Sequence, residues 1–153
     1  MKKIVTITGH KYTRKDTIAT ELAKNSEVEF VHPYTERDVV VDSGYDSEYH
    51  IVLPSTLDKM IKDEKVLAIT TVNDCRYVFF EFQFIKPYSV IIADDYAVID
   101  IKKNWNGEVF TIRAVSDNEE QSDRVGEYLF KHEFDAIFDY ARDDIHELEA
   151  ELE

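Results

Sequence analysis

The hydrophobic pattern changes period several times along the chain, and each change predicts an element. Residues 4–8 are a β-branched run closed by Gly9, which predicts a strand and then a turn. Ile18, Ala19, Leu22 and Ala23 recur at helical spacing, so residues 15–24 are predicted to be a helix. Residues 29–31 suit a short strand. From Pro33 a polar stretch rich in Asp and Tyr runs to Tyr49, and residues 51–53 again read as strand. Pro54, Ser55 and Thr56 form a helix start with Ser55 as the candidate N-cap. Leu57, Met60 and Ile61 give that helix one apolar face until about Glu64.

Residues 66–72 and 76–84 are rich in β-branched and aromatic types, and Asn73-Asp74 between them predicts a hairpin or strand pair. Residues 90–93 form a compact apolar run closed by Asp94 and Asp95, the pattern of a fully buried parallel strand. A short helix over 98–103 and a strand over 109–115 follow. A helix over 118–132, capped by Ser116 or Asp117, and a last strand over 134–138 come next. In the tail, Ala141, Ile145, Leu148 and Leu152 are spaced by four, three and four, which predicts an amphipathic, acidic helix. This alternation of strands and helices calls for a mainly parallel three-layer α/β fold.

A chain of 153 residues has the size of one domain, and 44% hydrophobic residues supply a core despite the heavy charge. The balance of 32 acidic against 18 basic residues leaves a formal charge of −14. That disfavours nucleic acid and anionic membrane surfaces as partners, so an anionic substrate must meet a local positive pocket. Cys75 is the lone cysteine, which rules out an internal disulfide framework. The apolar stretch at the start is too short for a signal peptide and no run is long enough to span a membrane, so a cytoplasmic location is expected. The five histidines lack metal-site spacing.

The segment from Thr8 through Gly9, His10, Lys11, Tyr12, Thr13, Arg14, Lys15 and Asp16 to Thr17 lies between the first strand and the first helix. Gly9 and Lys15 have the separation of the first Gly and the Lys of a Walker A phosphate loop. Such a loop aims backbone N–H groups and a helix N-terminus at phosphates, and its Lys neutralises the terminal oxygens. Gly9, Lys15, Asp16 and Thr17 are therefore the candidate ATP-phosphate residues. Two positions depart from the pattern. Arg14 replaces the second glycine, where a left-handed backbone would cost a side chain about 1–2 kcal/mol. Asp16 replaces the magnesium-ligating hydroxyl; the Lys-Asp-Thr order resembles the loop of some phage deoxynucleoside monophosphate kinases, and Thr17 offers a hydroxyl nearby.

Beyond the loop, the stretch beginning at Phe30, FVHPYTERDVVVDSGYDSEYHIVLPSTLDKMI, resembles the guanylate kinase segment that holds the acceptor nucleotide. The resemblance covers most of the chain and implies a P-loop kinase fold with an inserted monophosphate-binding region over 33–85. It implies that Arg37, Tyr49 and Tyr77 bind the monophosphate, and that Asp94 and Asp95 serve Mg²⁺ or the base. An arginine fork with tyrosine hydroxyls suits a dianionic phosphate. Against the family pattern, Val40 stands where a second phosphate-binding arginine belongs and Ala68 where a carboxylate reads guanine. The lid is shortened to 117–131, leaving Arg124 as its catalytic arginine and Arg113 as a weaker candidate.

The resemblance thus implies transfer of the ATP γ-phosphoryl to a nucleoside monophosphate with Mg²⁺ as cofactor, Lys15 and Arg124 carrying catalysis. The alternative is a guanylate-kinase-like nucleotide- or protein-binding module without catalysis. A third option is an acidic surface that mimics nucleic acid toward a basic protein.

Overall fold

The structure is a computed structural model describing residues 2–10, 13–37, 49–116 and 134–152. The helix expected over 118–132, with Arg124, and the position of Val40 lie outside the described residues.

Five strands form an all-parallel sheet: β1 (Lys3–Gly9), β2 (Val28–Phe30), β7 (Tyr88–Ile92), β8 (Glu108–Val115) and β9 (Ala136–Asp139). Their order across the sheet is β2-β7-β1-β8-β9. The β-branched run of β1 is central and buried because both faces of a parallel sheet are covered by its crossover helices. Val5 and Ile7 pack with Ile18, Ala19 and Leu22 of α1 (Lys15–Leu22) and with Leu148 and Leu152 of α4 (Ile145–Leu152). Ile4 on the other face packs with Ala97, Val98 and Ile101 of α3 (Asp95–Asn104). The result is the expected mainly parallel, three-layer α/β fold.

The remaining strands make a second sheet in the order β4-β3-β6-β5, with β3 (Tyr34–Glu36), β4 (His50–Val52), β5 (Val66–Val72) and β6 (Cys75–Phe80). β3 and β4 run parallel; β6 runs antiparallel to both β3 and β5. Its back is sealed by α2 (Pro54–Asp63), where Leu57 meets Val78 and Phe80, all three without exposure.

The elements differ from the sequence pattern at several points. β3 arises within the polar stretch after Pro33, because only Thr35 of Tyr34–Glu36 is buried and the strand is carried by pairing rather than by apolar periodicity. α2 is capped by Leu53, with no side-chain cap bond, not by Ser55, because Pro54 already supplies a helical φ at the first position. α3 starts at Asp95, earlier than residue 98, because Asp94 Oδ1 accepts the Ala97 N–H and caps it. The strand expected to 84 stops at Phe80, where Gln83 Oε1 accepts the Phe80 N–H and the chain turns through Glu81–Gln83. β9 is set later than 134–138, and Ala141 lies in a turn before α4. Among the described residues no helix is long and apolar enough to cross a membrane.

The β5–β6 hairpin closes through Asn73 at φ 51° and Asp74 at φ 66°, the two positive values of a tight hairpin turn that favours Asn-Gly. Replacing Asp74 with Gly should relieve left-handed strain worth about 1 kcal/mol and raise the melting temperature by about 2–4 °C. Calorimetry of native and Asp74→Gly protein checks this; an unchanged or lowered midpoint would mean that the turn is unstrained.

Candidate functional site

Adjacent strands β1 and β7 send their connections to opposite faces of the sheet, β1 into α1 and β7 into α3. Loops that diverge from neighbouring strand ends leave a crevice beyond the carboxyl ends of a parallel sheet. A cavity of about 370 Å³ opens there, within the roughly 300–1,000 Å³ range of small-molecule sites. Lys15 and Asp16 line it from the start of α1, and Ala93 and Asp94 from the end of β7. The opposite wall is the hairpin, whose period of two turns Thr70, Val72, Tyr77 and Phe79 to the cavity.

Gly9 leaves β1 in extended backbone; its lack of a side chain serves close packing rather than conformational freedom. A Cβ there would lie 2.6 Å from the Ala114 carbonyl oxygen and 2.8 Å from Thr13 Oγ1. Thr13 is buried, and both its N–H and its hydroxyl donate to the His10 carbonyl, at 3.2 and 2.7 Å. Arg14 then adopts φ 60°, ψ 40°, the left-handed conformation that the second glycine of a phosphate loop would take without strain. Its guanidinium lies over the Tyr140 ring at 5.4 Å, which at an exposed site returns about 0.5–1 kcal/mol of that strain. Lys15 Nζ donates to the Gly9 carbonyl at 2.6 Å, and burial pushes its pKa below the usual lysine range, opposed by the Asp16 carboxylate.

The mouth of the cavity is an aromatic wall. Phe30 and His32 lie 4.2 Å apart between centroids, His32 and Tyr49 6.2 Å, and Tyr49 and Tyr77 5.8 Å edge-on, all four lining the cavity. Faces and edges of this kind suit a planar heteroaromatic ligand. Of the sequence candidates, Lys15, Asp16, Tyr49, Tyr77 and Asp94 therefore share one cavity. Gly9, Thr17, Arg37 and Asp95 do not line it. Arg37 is exposed just beyond β3, its N–H donating to the Val52 carbonyl at 3.0 Å, and Thr17 is half-buried on α1. Arg113 sits on β8 in register with Thr8. Glu81 pairs with Lys65 at 2.8 Å. Ala68 is buried in the core beside Phe79 and Phe84.

Asp94 spends one oxygen on capping α3. Among the described residues no group of three or more His, Cys, Asp or Glu is placed to hold a metal ion by itself. Mg²⁺ shared with nucleotide phosphates, however, takes only one or two carboxylates and keeps several waters, and Asp16 and Asp94 on one cavity offer that donor set.

Sequence reasoning passed over Phe30 and His32, whose signal was an aromatic pair two apart at a strand end, and Arg76, which had none. Arg76 grips Glu36 through Nε at 2.6 Å and Nη2 at 3.0 Å, its own N–H adds a bond to the same carboxylate at 2.9 Å, and Nη1 reaches Asp58 at 2.7 Å. The Arg76 hydrogen bonds hold the Glu36 carboxyl below the usual glutamate range.

With this geometry, comparison with solved structures finds the fold of guanylate kinase. The chain is similar to the crystal structure of guanylate kinase from Anaplasma phagocytophilum with a TM-score of 0.66 at 13% sequence identity, over 99% of this chain and 82% of that one. The protein thus has a guanylate-kinase-like α/β fold. No protein-family model and no curated protein matches its sequence.

Because the folded-state pKa of Glu36 is depressed, its ion pair stabilises fully above the ordinary glutamate value and is lost as the pH falls through the lowered one. Arg76→Ala should cost about 2 kcal/mol at pH 7, and the gap from native protein should close as the pH drops below about 4. Urea denaturation across that range measures it; a gap independent of pH would assign the loss to packing alone.

Proposed function

We propose that the chain is a guanylate-kinase-like nucleoside monophosphate kinase that transfers the γ-phosphoryl group of ATP to a nucleoside monophosphate such as GMP. The observation that carries this is one cavity lined both by Lys15 and Asp16 of the phosphate-loop segment and by Tyr49 and Tyr77 across from them, in a fold shared with guanylate kinase. The half-buried Lys15 ammonium has lost hydration that phosphate oxygens would restore, exchanging the Gly9 carbonyl for an anion. Tyr49 and Tyr77 orient the acceptor phosphate by their hydroxyls, with Arg37 approaching from the end of β3, and the ring of the base lies against the aromatic wall. Gly9 and Thr17 shape the loop side of the site.

Asp16 and Asp94 would hold Mg²⁺, with Asp95 beside them, and the ion would neutralise charge on the transferring phosphates when bound. Arg124 is proposed to stabilise the transferring group from the lid. Transfer needs positioning and charge neutralisation rather than a protein nucleophile, so these residues suffice in kind.

A second reading, a nucleotide-binding module without turnover, is favoured by Arg14. Its left-handed backbone and its packing on Tyr140 leave a long side chain where phosphate ordinarily meets bare backbone.

Calorimetric titration with each nucleoside monophosphate and with ATP-Mg²⁺, beside a phosphoryl-transfer assay, tests both. A monophosphate should bind more tightly than ATP, and Tyr77→Phe should weaken it by about 1 kcal/mol, the worth of one hydrogen bond. Arg14→Gly should raise ATP-Mg²⁺ affinity by removing a side chain from the place where phosphate meets bare backbone. Turnover in native protein establishes the kinase; monophosphate binding without turnover establishes the module. Binding of neither nucleotide sinks both.

A further inference from the structure

Residues 76 and 77 are neighbours on β6, so their side chains point to opposite faces of the second sheet. Tyr77 faces the cavity, while the Arg76 guanidinium lies on the back, against α2. Across the ladder Thr35 stands in register with Tyr77, and continuing that register sets Glu36 beside Arg76. The bidentate contact and the Arg76 N–H extend the β3–β6 pairing by one step where the backbone ladder ends. Asp58 on α2 takes the third arm, at 2.7 Å. The Glu36 side chain is 12% exposed and that of Arg76 28%, so solvent screens the contact only partly. One guanidinium therefore ties β6, β3 and α2 together on the face of the sheet opposite Tyr77, and its partner Glu36 lies one residue before Arg37.

We propose that Arg76 is a positioning residue, whose grip on Glu36 and Asp58 sets the angle at which Tyr77 and Arg37 meet the acceptor phosphate. This rests on the monophosphate site proposed above. A planar fork is required, because a single ammonium cannot engage one carboxylate with two parallel bonds while reaching a second. The clamp acts through the strand; Arg76 does not line the cavity. Its loss should thus be felt in monophosphate binding and leave ATP binding, which depends on the phosphate loop, unchanged.

The test compares native protein with Arg76→Lys and Glu36→Gln, each checked for folding by its melting curve. One readout, without ligand, is the NMR signal of the Tyr77 ring in tyrosine-labelled protein, assigned from Tyr77→Phe. The other is the dissociation constant of GMP, with ATP-Mg²⁺ as the internal control. The expected result is a displaced or doubled Tyr77 signal in both variants and GMP binding weakened about tenfold with ATP binding unaltered. An unmoved Tyr77 signal overturns the proposal whatever the affinities, and so does a moved signal with unchanged GMP affinity, or equal losses for GMP and ATP. If native protein binds no monophosphate while the Tyr77 signal still moves, the clamp stands as the support of that ring and the proposed kinase function is what fails.

Discussion

Everything about the site depends on the packing of α3 against β5. Ala97, Val98 and Ile101 of α3 share one core with Ile4 and Ile91 of the central sheet and with Leu67, Ala68 and Phe79 of the second. That single cluster sets the distance between the two sheets, and the cavity is the space left above it, floored by Ala93, Ala97 and Phe79. Burial of side chains this size supplies about 1.5–3 kcal/mol each for the larger ones, so the two sheets cannot part without losing much of the fold's stability. Ala68 belongs to this contact. It is 2% exposed, and a carboxylate there would enter an apolar core at a cost that only a bound, hydrogen-bonding ligand could offset.

Charge follows a second logic. In a chain of net charge −14, few cations are available, and the structure commits them unequally. Arg76 is engaged by two carboxylates behind the hairpin, and Arg14 by the Tyr140 ring. Lys15 remains on the cavity, partly stripped of water and bonded to a carbonyl, which is a weaker partner than an anion. The cavity therefore combines one desolvated ammonium with the carboxylates Asp16 and Asp94. A bare phosphate would meet repulsion from the two acids, whereas a phosphate carrying a divalent cation would satisfy both signs.

How far the sequence spoke depended on the range of the interaction. The strand at β1, the helix α1, the hairpin turn at Asn73-Asp74 and the buried run of β7 were legible, since each is written in local periodicity or turn chemistry over a few residues. Lys15, with Gly9 six residues before it, was legible for the same reason. The start of α3 was misjudged because a cap overrides periodicity, and β3 was missed because its stability comes from β4 and β6 rather than from its own three residues.

The sequence by itself determined the α/β alternation, the acidic character and the placing of the Gly9–Lys15 segment between a strand and a helix, because these depend on composition and nearest neighbours. Only the tertiary structure decided which candidates meet. It brought Tyr49, Tyr77 and Asp94 to Lys15, joined Phe30 and His32 to them, and left Asp95 and Thr17 off the cavity wall. It also turned Arg76, unremarkable in the sequence, into the clamp behind Tyr77 by setting Glu36, forty residues earlier, in register with it. The physical reason is that strand order and register are settled by burying apolar faces over long separations, and one residue of register sends a side chain to the other face of the sheet.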